Sequence, residues 1–187
     1  MEMVGSKAGN IKKLKIICIV FSIFLIGCSV PVRPSKPHPE QTGFRGIKWG
    51  TEVSSLTDME KVEEEKSSDS DLVWYTRKED PLTIGKAKLK GIFYGFWMGT
   101  LESVWIDFED DENLEALKKE LFKQFGKVPE SVKPFYAWGD KETEMSLSYS
   151  KDRHKGTLSI ISRKISEERR GYKKQKEKEE RLKKRGS

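Results

Sequence analysis

The sequence predicts an α+β domain in which helices cover one face of an antiparallel sheet. Alternating apolar and polar residues over 92–98 and 104–108 predict two strands, and Gly99-Thr100 between them predicts a tight hairpin turn. Apolar residues at helical spacing then predict a helix over 111–126. Strands that follow one another directly, beside one clear helix, favour an antiparallel sheet.

Weaker signals complete the domain on both sides of this core. Apolar residues at three-residue steps predict a helix over 51–65. Stretches rich in aromatic, β-branched or alternating apolar residues predict further strands at 72–77, 135–138, 144–149 and 157–162. Each half of the domain therefore consists of one helix followed by three strands.

This order raises the hypothesis that an α-β-β-β unit is duplicated. Gly99-Thr100-Leu101 recurs as Gly156-Thr157-Leu158 at the corresponding place in the second half. Three matching residues are weak support, because repeat architectures are recognised by self-similarity over whole units. A single undivided α+β domain is the alternative.

The first 27 residues have the composition of a secretory signal. Four lysines and one glutamate precede an uncharged apolar run over 16–26, and small residues close the run. The run is shorter than the roughly 20 apolar residues that cross the hydrocarbon core of a bilayer. We therefore expect residues 1–27 to be cleaved as a signal peptide, with an uncleaved membrane anchor as the alternative.

The end of this run, Leu25-Ile26-Gly27-Cys28, resembles the lipobox of bacterial lipoproteins at all four positions. The resemblance implies that signal peptidase II cuts between Gly27 and Cys28 and that Cys28 carries the acyl chains. Ser29 follows, and serine rather than aspartate at that place implies the outer membrane in the enterobacterial version of the family. An ordinary signal peptide with a chance cysteine is the alternative.

Composition divides the mature chain into three parts. Residues 28–42 hold the lipidated cysteine and four of the seven prolines, which predicts an extended spacer. The α+β domain follows over 43–164 and contains all five tryptophans. Residues 165–187 form a charged basic tail that is predicted to be helical or disordered.

The positive charge of the chain lies at its two ends. Residues 163–187 hold 12 basic and 5 acidic side chains, a net charge of +7, and the leader adds +3. Since the whole chain carries +6, residues 28–162 carry −4. The basic tail therefore predicts an anionic envelope partner, and a merely solvated end is the alternative. Export to the envelope argues against nucleic acid as the partner.

The sequence contains no common catalytic or nucleotide-binding motif. Its two histidines are isolated, because His38 lies between prolines and His154 lies in a predicted turn without a companion nucleophile. The acidic cluster at 107–112 lacks the ligand spacing of a calcium loop, and capping of the following helix explains it. We therefore predict no catalytic residue, no cofactor and no metal site.

Aromatic residues supply the candidate binding surface. Trp97 and Trp105 alternate with the predicted core residues of their strands and so point to the other face of the sheet. Burial beneath a second layer is the alternative interpretation. The stretch GFRGIKWGTEV, residues 43–53, resembles the opening of small domains in uncharacterised bacterial envelope lipoproteins, which implies a similar module without a known activity.

Together these features predict a lipid-anchored, periplasm-facing protein that binds or scaffolds another envelope component without catalysis. Two alternatives stay open. A cell-wall hydrolase would need two inward-pointing carboxylates in a deep cleft. An inhibitor-like module would need a protruding loop that blocks an envelope enzyme.

Overall fold

The structure, a computed structural model, describes residues 42–63, 71–128 and 135–185. The predicted leader, the lipobox and residues 28–41 of the spacer lie outside the described residues. The strands are β1 (Gly43–Phe44), β2 (Ile47–Lys48), β3 (Met59–Lys61), β4 (Leu72–Arg77), β5 (Thr83–Ile84), β6 (Ala87–Lys88), β7 (Gly91–Trp97), β8 (Thr100–Glu109), β9 (Phe135–Gly139), β10 (Thr143–Ser150) and β11 (Lys155–Ser162). The helices are α1 (Asp111–Phe125) and α2 (Arg163–Arg185).

A seven-stranded antiparallel sheet confirms the predicted α+β class; α1 packs on one face of this sheet, and α2 contacts Trp97 on the other. Its strands lie in the order β3-β4-β7-β8-β11-β10-β9, while the hairpins β1–β2 and β5–β6 form two small sheets of their own. The strands predicted from alternation are present as β4 and β7 to β11, and the predicted helix is present as α1. Gly126 follows the last residue of α1 with a φ of 85°, a value that favours glycine.

The helix predicted over 51–65 is wrong. Within its described part the chain forms a short 3-10 turn at Val53–Ser55 and then strand β3. Backbone groups at the start of this segment bond to the hairpin β7–β8, since the Val53 amide donates to the Gly99 carbonyl at 2.8 Å. The Leu101 amide likewise donates to the Thr51 carbonyl at 2.9 Å. The apolar side chains of Val53, Leu56 and Met59 are partly buried against the core.

The two halves of the domain are therefore only partly alike. Two three-stranded meanders, β4–β7–β8 and β9–β10–β11, meet where β8 pairs with β11. An α-helix precedes only the second of them in the described part of the chain. The strand order thus agrees with the hypothesis of duplication, whereas a complete α-β-β-β unit is present once.

The β7–β8 hairpin turns one residue earlier than predicted. Met98 and Gly99 occupy the turn with φ of 48° and 83°, and Thr100 already pairs with Trp97. Positive φ at both central residues matches the twist of a two-residue hairpin. The pairing then shifts between Gly95 and Phe96, which leaves Glu102 as an extra residue in β8.

The core lies between the sheet and α1. Leu117 and Leu121 of α1 are buried, and the ring of Phe122 packs edge-on against Tyr136 with centroids 6.0 Å apart. The Trp138 indole also donates to the Gly126 carbonyl at 2.9 Å. The sheet contributes the alternating buried residues of its central strands, Ile92, Tyr94, Phe96, Val104, Ile106, Phe108, Leu147, Leu158 and Ile160.

A polar network joins the β1–β2 connection to this core. Arg45 forms an ion pair with Asp80 and donates to the Pro81 and Thr83 carbonyls, both at 2.7 Å. The Tyr94 hydroxyl donates to the second Asp80 oxygen at 2.7 Å. Burial, together with this hydrogen bond, raises the pKa of Tyr94 above its ordinary value. The polar side chains of Arg45, Asp80 and Tyr94 are thus paired with one another.

Candidate functional site

The face of the sheet that points away from α1 is named the outer face. Its side chains alternate with the core residues along each strand. One row crosses five strands in register and consists of Phe93, Trp105, Ser159, Ser146 and Ala137. Every member of this row is at least partly exposed and none is charged. We name this set the central row.

Aromatic rings form the end of the outer face on β4, β7 and β8. The Trp74 ring is buried and packs on Trp105, with ring centroids 4.8 Å apart. It also covers Gly95, where an added Cβ atom would lie 2.9 Å from the indole. Trp105 itself is partly exposed. A buried partner therefore holds the Trp105 ring in place while part of it reaches solvent.

Small hydroxyl side chains form the other end, on β10 and β11. The hydroxyl groups of Ser146 and Ser159 lie 2.7 Å apart and form a hydrogen bond. In the next row the Thr157 hydroxyl donates to Asp107 at 3.1 Å, and Ser148 is exposed. These short side chains leave a flat surface beside the rings.

The structure places both predicted tryptophans on the outer face, in different surroundings. Trp97 contacts the Tyr172 ring of α2, with centroids 6.0 Å apart, whereas Trp105 lies in the central row. Sequence reasoning did not single out Ser146 and Ser159. The alternation of serine with apolar residues along β10 and β11 was the available signal, but it did not show that these strands lie beside Trp105.

The basic tail is helical and packs against the outer face. α2 follows β11 directly, so the predicted boundary at 164 falls within its first turn. Ile165 is buried beside Gly50. A Cβ atom added at Gly50 would lie 3.8 Å from the Ile165 side chain. The Arg169 guanidinium lies 2.7 Å from the carboxylate of Glu102, which is completely buried. A buried ion pair therefore fastens α2 to the extra residue of β8.

The prediction that the acidic cluster caps α1 is wrong for Asp110. This residue makes no side-chain capping bond, because its φ of 73° lies outside the extended conformation that such a cap requires. The Asn113 side chain instead donates to the Glu109 carbonyl and accepts from the Lys88 amide, both at 2.8 Å.

A hydrogen bond from Lys90 holds the pKa of Glu109 below its ordinary value.

The buried carboxylates are engaged by arginines. Glu102 lies against Arg169, and Asp80 lies against Arg45. A groove of about 250 Å³ runs between α1 and the β1–β2 connection. Its described lining is apolar apart from Arg45 and a few polar groups, and it contains no carboxylate.

His154 is exposed in the β10–β11 turn, where its sequence position predicts it.

Comparison with protein-family models, with curated proteins and with solved structures finds no match to this chain. Within the described residues, no helix is long and apolar enough to cross a membrane.

Proposed function

We propose that this protein is a lipid-anchored cell-envelope protein that binds or scaffolds another envelope protein through the outer face, without catalysis. The observation that carries the proposal is the central row, in which Trp105 lies among neutral, partly exposed side chains. Depletion of charge and enrichment of aromatic residues distinguish the centre of protein interfaces from the rest of a protein surface. Trp105 is the expected anchor residue of the contact.

The rigidity of the outer face favours binding. Trp105 is already held by Trp74, and Ser159 is already bonded to Ser146, so little side-chain freedom is left to lose on association. Neighbouring strands are about 4.8 Å apart, so the central row spans about 20 Å. A standard interface of roughly 800 Å² per partner is about 32 Å across if it is circular, so a partner would also contact side chains on either side of the central row.

Membrane attachment is proposed from the lipobox resemblance at 25–28. Several acyl chains on Cys28, at about 0.8 kcal/mol per buried methylene, would hold the chain at a bilayer. Ser29 supports the outer membrane, with the domain facing the periplasm. The fourteen residues from Ser29 to Thr42 would let the domain reach up to about 40 Å from the bilayer, since an extended proline-rich chain covers about 3.1 Å per residue.

The hydrolase alternative has less support than binding. A carboxylate that acts as a general acid or base must reach its substrate. The Glu102 and Asp80 carboxylates are buried and form ion pairs with arginines.

An inhibitor-like role would use the same outer face, and the activity of a captured enzyme would distinguish inhibition from scaffolding.

Replacing Trp105 with serine is expected to lower partner capture about tenfold or more, because aromatic anchors contribute most of the energy of many interfaces. Chemical crosslinking in cells followed by mass spectrometry would compare the wild type with this variant and with Leu82→Ser. Leu82 is a matched control, since it is also apolar and exposed but lies before β5, away from the outer face.

In the same experiment Cys28→Ala is expected to leave the membrane fraction and to lose the acylated amino-terminal peptide. Unchanged capture by a folded Trp105→Ser protein would contradict binding through the outer face. Retention of Cys28→Ala at the membrane, with no acylated peptide in the wild type, would contradict the lipid anchor.

A further inference from the structure

We propose that α2 carries a second contact surface, a row of cations that binds the anionic lipid headgroups of the bilayer nearest the domain. The row is named the basic stripe and consists of Arg170, Lys174, Lys178, Arg181 and Arg185. All five side chains are exposed. The inference rests on the proposed function, because the lipid anchor is what would place the domain beside a bilayer.

The basic stripe lies on the side of α2 opposite to the sheet. Contacts define the sheet side, since Ile165 is buried, Arg169 pairs with Glu102, and Tyr172 packs on Trp97. An α-helix turns by about 100° per residue. At that rotation the five cations fall within an arc of about 80°, centred opposite Ile165. The attachment of α2 to the domain therefore turns the basic stripe outward.

Favourable interaction with the helix dipole does not explain the whole basic stripe. Cations in the last turn, Lys183 to Arg185, are favoured by the helix dipole, which acts over the last turn only. The basic stripe begins four turns earlier, at Arg170, and extends for about 23 Å at 1.5 Å per residue. Residues 174–185 hold seven basic and three acidic side chains, and the acidic residues beside the stripe are Glu167, one turn before Arg170, and Glu177.

A planar anionic surface fits this geometry. Five cations on one side of a straight helix can approach a plane together, and each strengthens binding to an anionic membrane about fivefold. Leu182 is the one large apolar residue among 174–185, so insertion of the helix into the bilayer is not expected. The contact should therefore be peripheral, dependent on anionic lipid and sensitive to salt.

The test uses the full lipidated protein, purified from membranes and reconstituted into vesicles. Leu182→Cys introduces a labelling site on α2 beside the basic stripe, because Cys18 and Cys28 are the only natural cysteines and lie at the amino terminus. A fluorophore at that site reports its distance from the surface through quenching by headgroup-labelled lipid. Phosphatidylcholine vesicles are compared with vesicles that contain about 30% phosphatidylglycerol, an anionic lipid.

We expect quenching to rise severalfold with phosphatidylglycerol and to disappear in about 0.5 M NaCl, where charges are screened within a few Å. Replacing the five stripe residues with glutamine should abolish the rise. A control removes the same charge from exposed lysines elsewhere and should retain it; these are Lys119, Lys123, Lys127, Lys141 and Lys151.

Quenching that is independent of phosphatidylglycerol, or lost equally in the control, would overturn the proposal. Inorganic polyphosphate is added in a parallel sample. A fluorescence response to polyphosphate but not to phosphatidylglycerol would assign the basic stripe to a soluble polyanion and would also overturn the membrane contact. A protein that fails to incorporate into vesicles at all would refute the lipid anchor, which separates failure of the proposed function from failure of this inference.

Discussion

Replacing Gly156 with alanine is expected to destabilise the domain by about 2–3 kcal/mol, the upper range for overpacking a core. Gly156 lies in β11 opposite Phe108 of β8, and the Phe108 ring lies directly over it. An added Cβ atom would lie 2.1 Å from the nearest ring carbon, far inside van der Waals contact. Phe108 is almost completely buried and stacks on Tyr149, with centroids 5.9 Å apart, so its ring has little room to move.

The matched control is Gly171→Ala in α2. Apart from its chain neighbours and the backbone of its own helix, nothing lies within 4 Å of a Cβ added there, and glycine costs a helix interior up to about 1 kcal/mol relative to alanine. Urea unfolding of both variants would measure the free energies. We expect Gly156→Ala to lose stability and Gly171→Ala to gain it. A Gly156→Ala protein as stable as the wild type would contradict the packing of β8 against β11.

Replacing Arg169 with alanine is expected to cost about 3 kcal/mol, because it leaves the buried Glu102 carboxylate without its guanidinium partner. The double variant Glu102→Ala/Arg169→Ala should recover part of that loss, since no buried charge is then left behind. Hydrogen exchange of the amides of residues 165–173 would show in addition whether α2 leaves the sheet.

Lys173→Ala provides the control for this pair. Lys173 lies 3.3 Å from Asp71, and both side chains are about one-third exposed, so the loss should stay below about 1 kcal/mol. Equal losses for Arg169→Ala and Lys173→Ala would contradict a special role for the buried ion pair. Unchanged amide protection in Arg169→Ala would show that Ile165 and Tyr172 hold α2 without it.

Local patterns in the sequence were sufficient for the regular elements of the domain. Strand alternation in β8 and β10 and the apolar repeat of α1 each depend on neighbouring residues only. The segment 51–63 was predicted wrongly because three-residue spacing of apolar residues does not distinguish a helix from a turn and strand that pack against the core. Its backbone partners, Gly99 and Leu101, are distant in sequence, so tertiary pairing decided its conformation.

The candidate site depends on contacts that a single sequence does not reveal. Glu102 points to Arg169 because the pairing of β7 with β8 shifts by one residue, and no local pattern marks that shift. Ser159 lies beside Trp105 only because β11 pairs with β8. The tail resembled a solvated helix because it lacks an apolar stripe, whereas a buried ion pair and the Tyr172 ring attach it to the domain.

The central claim, that the outer face binds an envelope protein, is tested most directly by photocrosslinking in living cells. A photoreactive phenylalanine analogue would be placed at Ser159 in the central row and, as a control, at Lys123 on the exposed side of α1. Our account predicts a discrete, reproducible adduct with one envelope protein from position 159 and none from position 123. The same adduct from both positions, or no adduct from position 159 in a folded and membrane-attached protein, would contradict it.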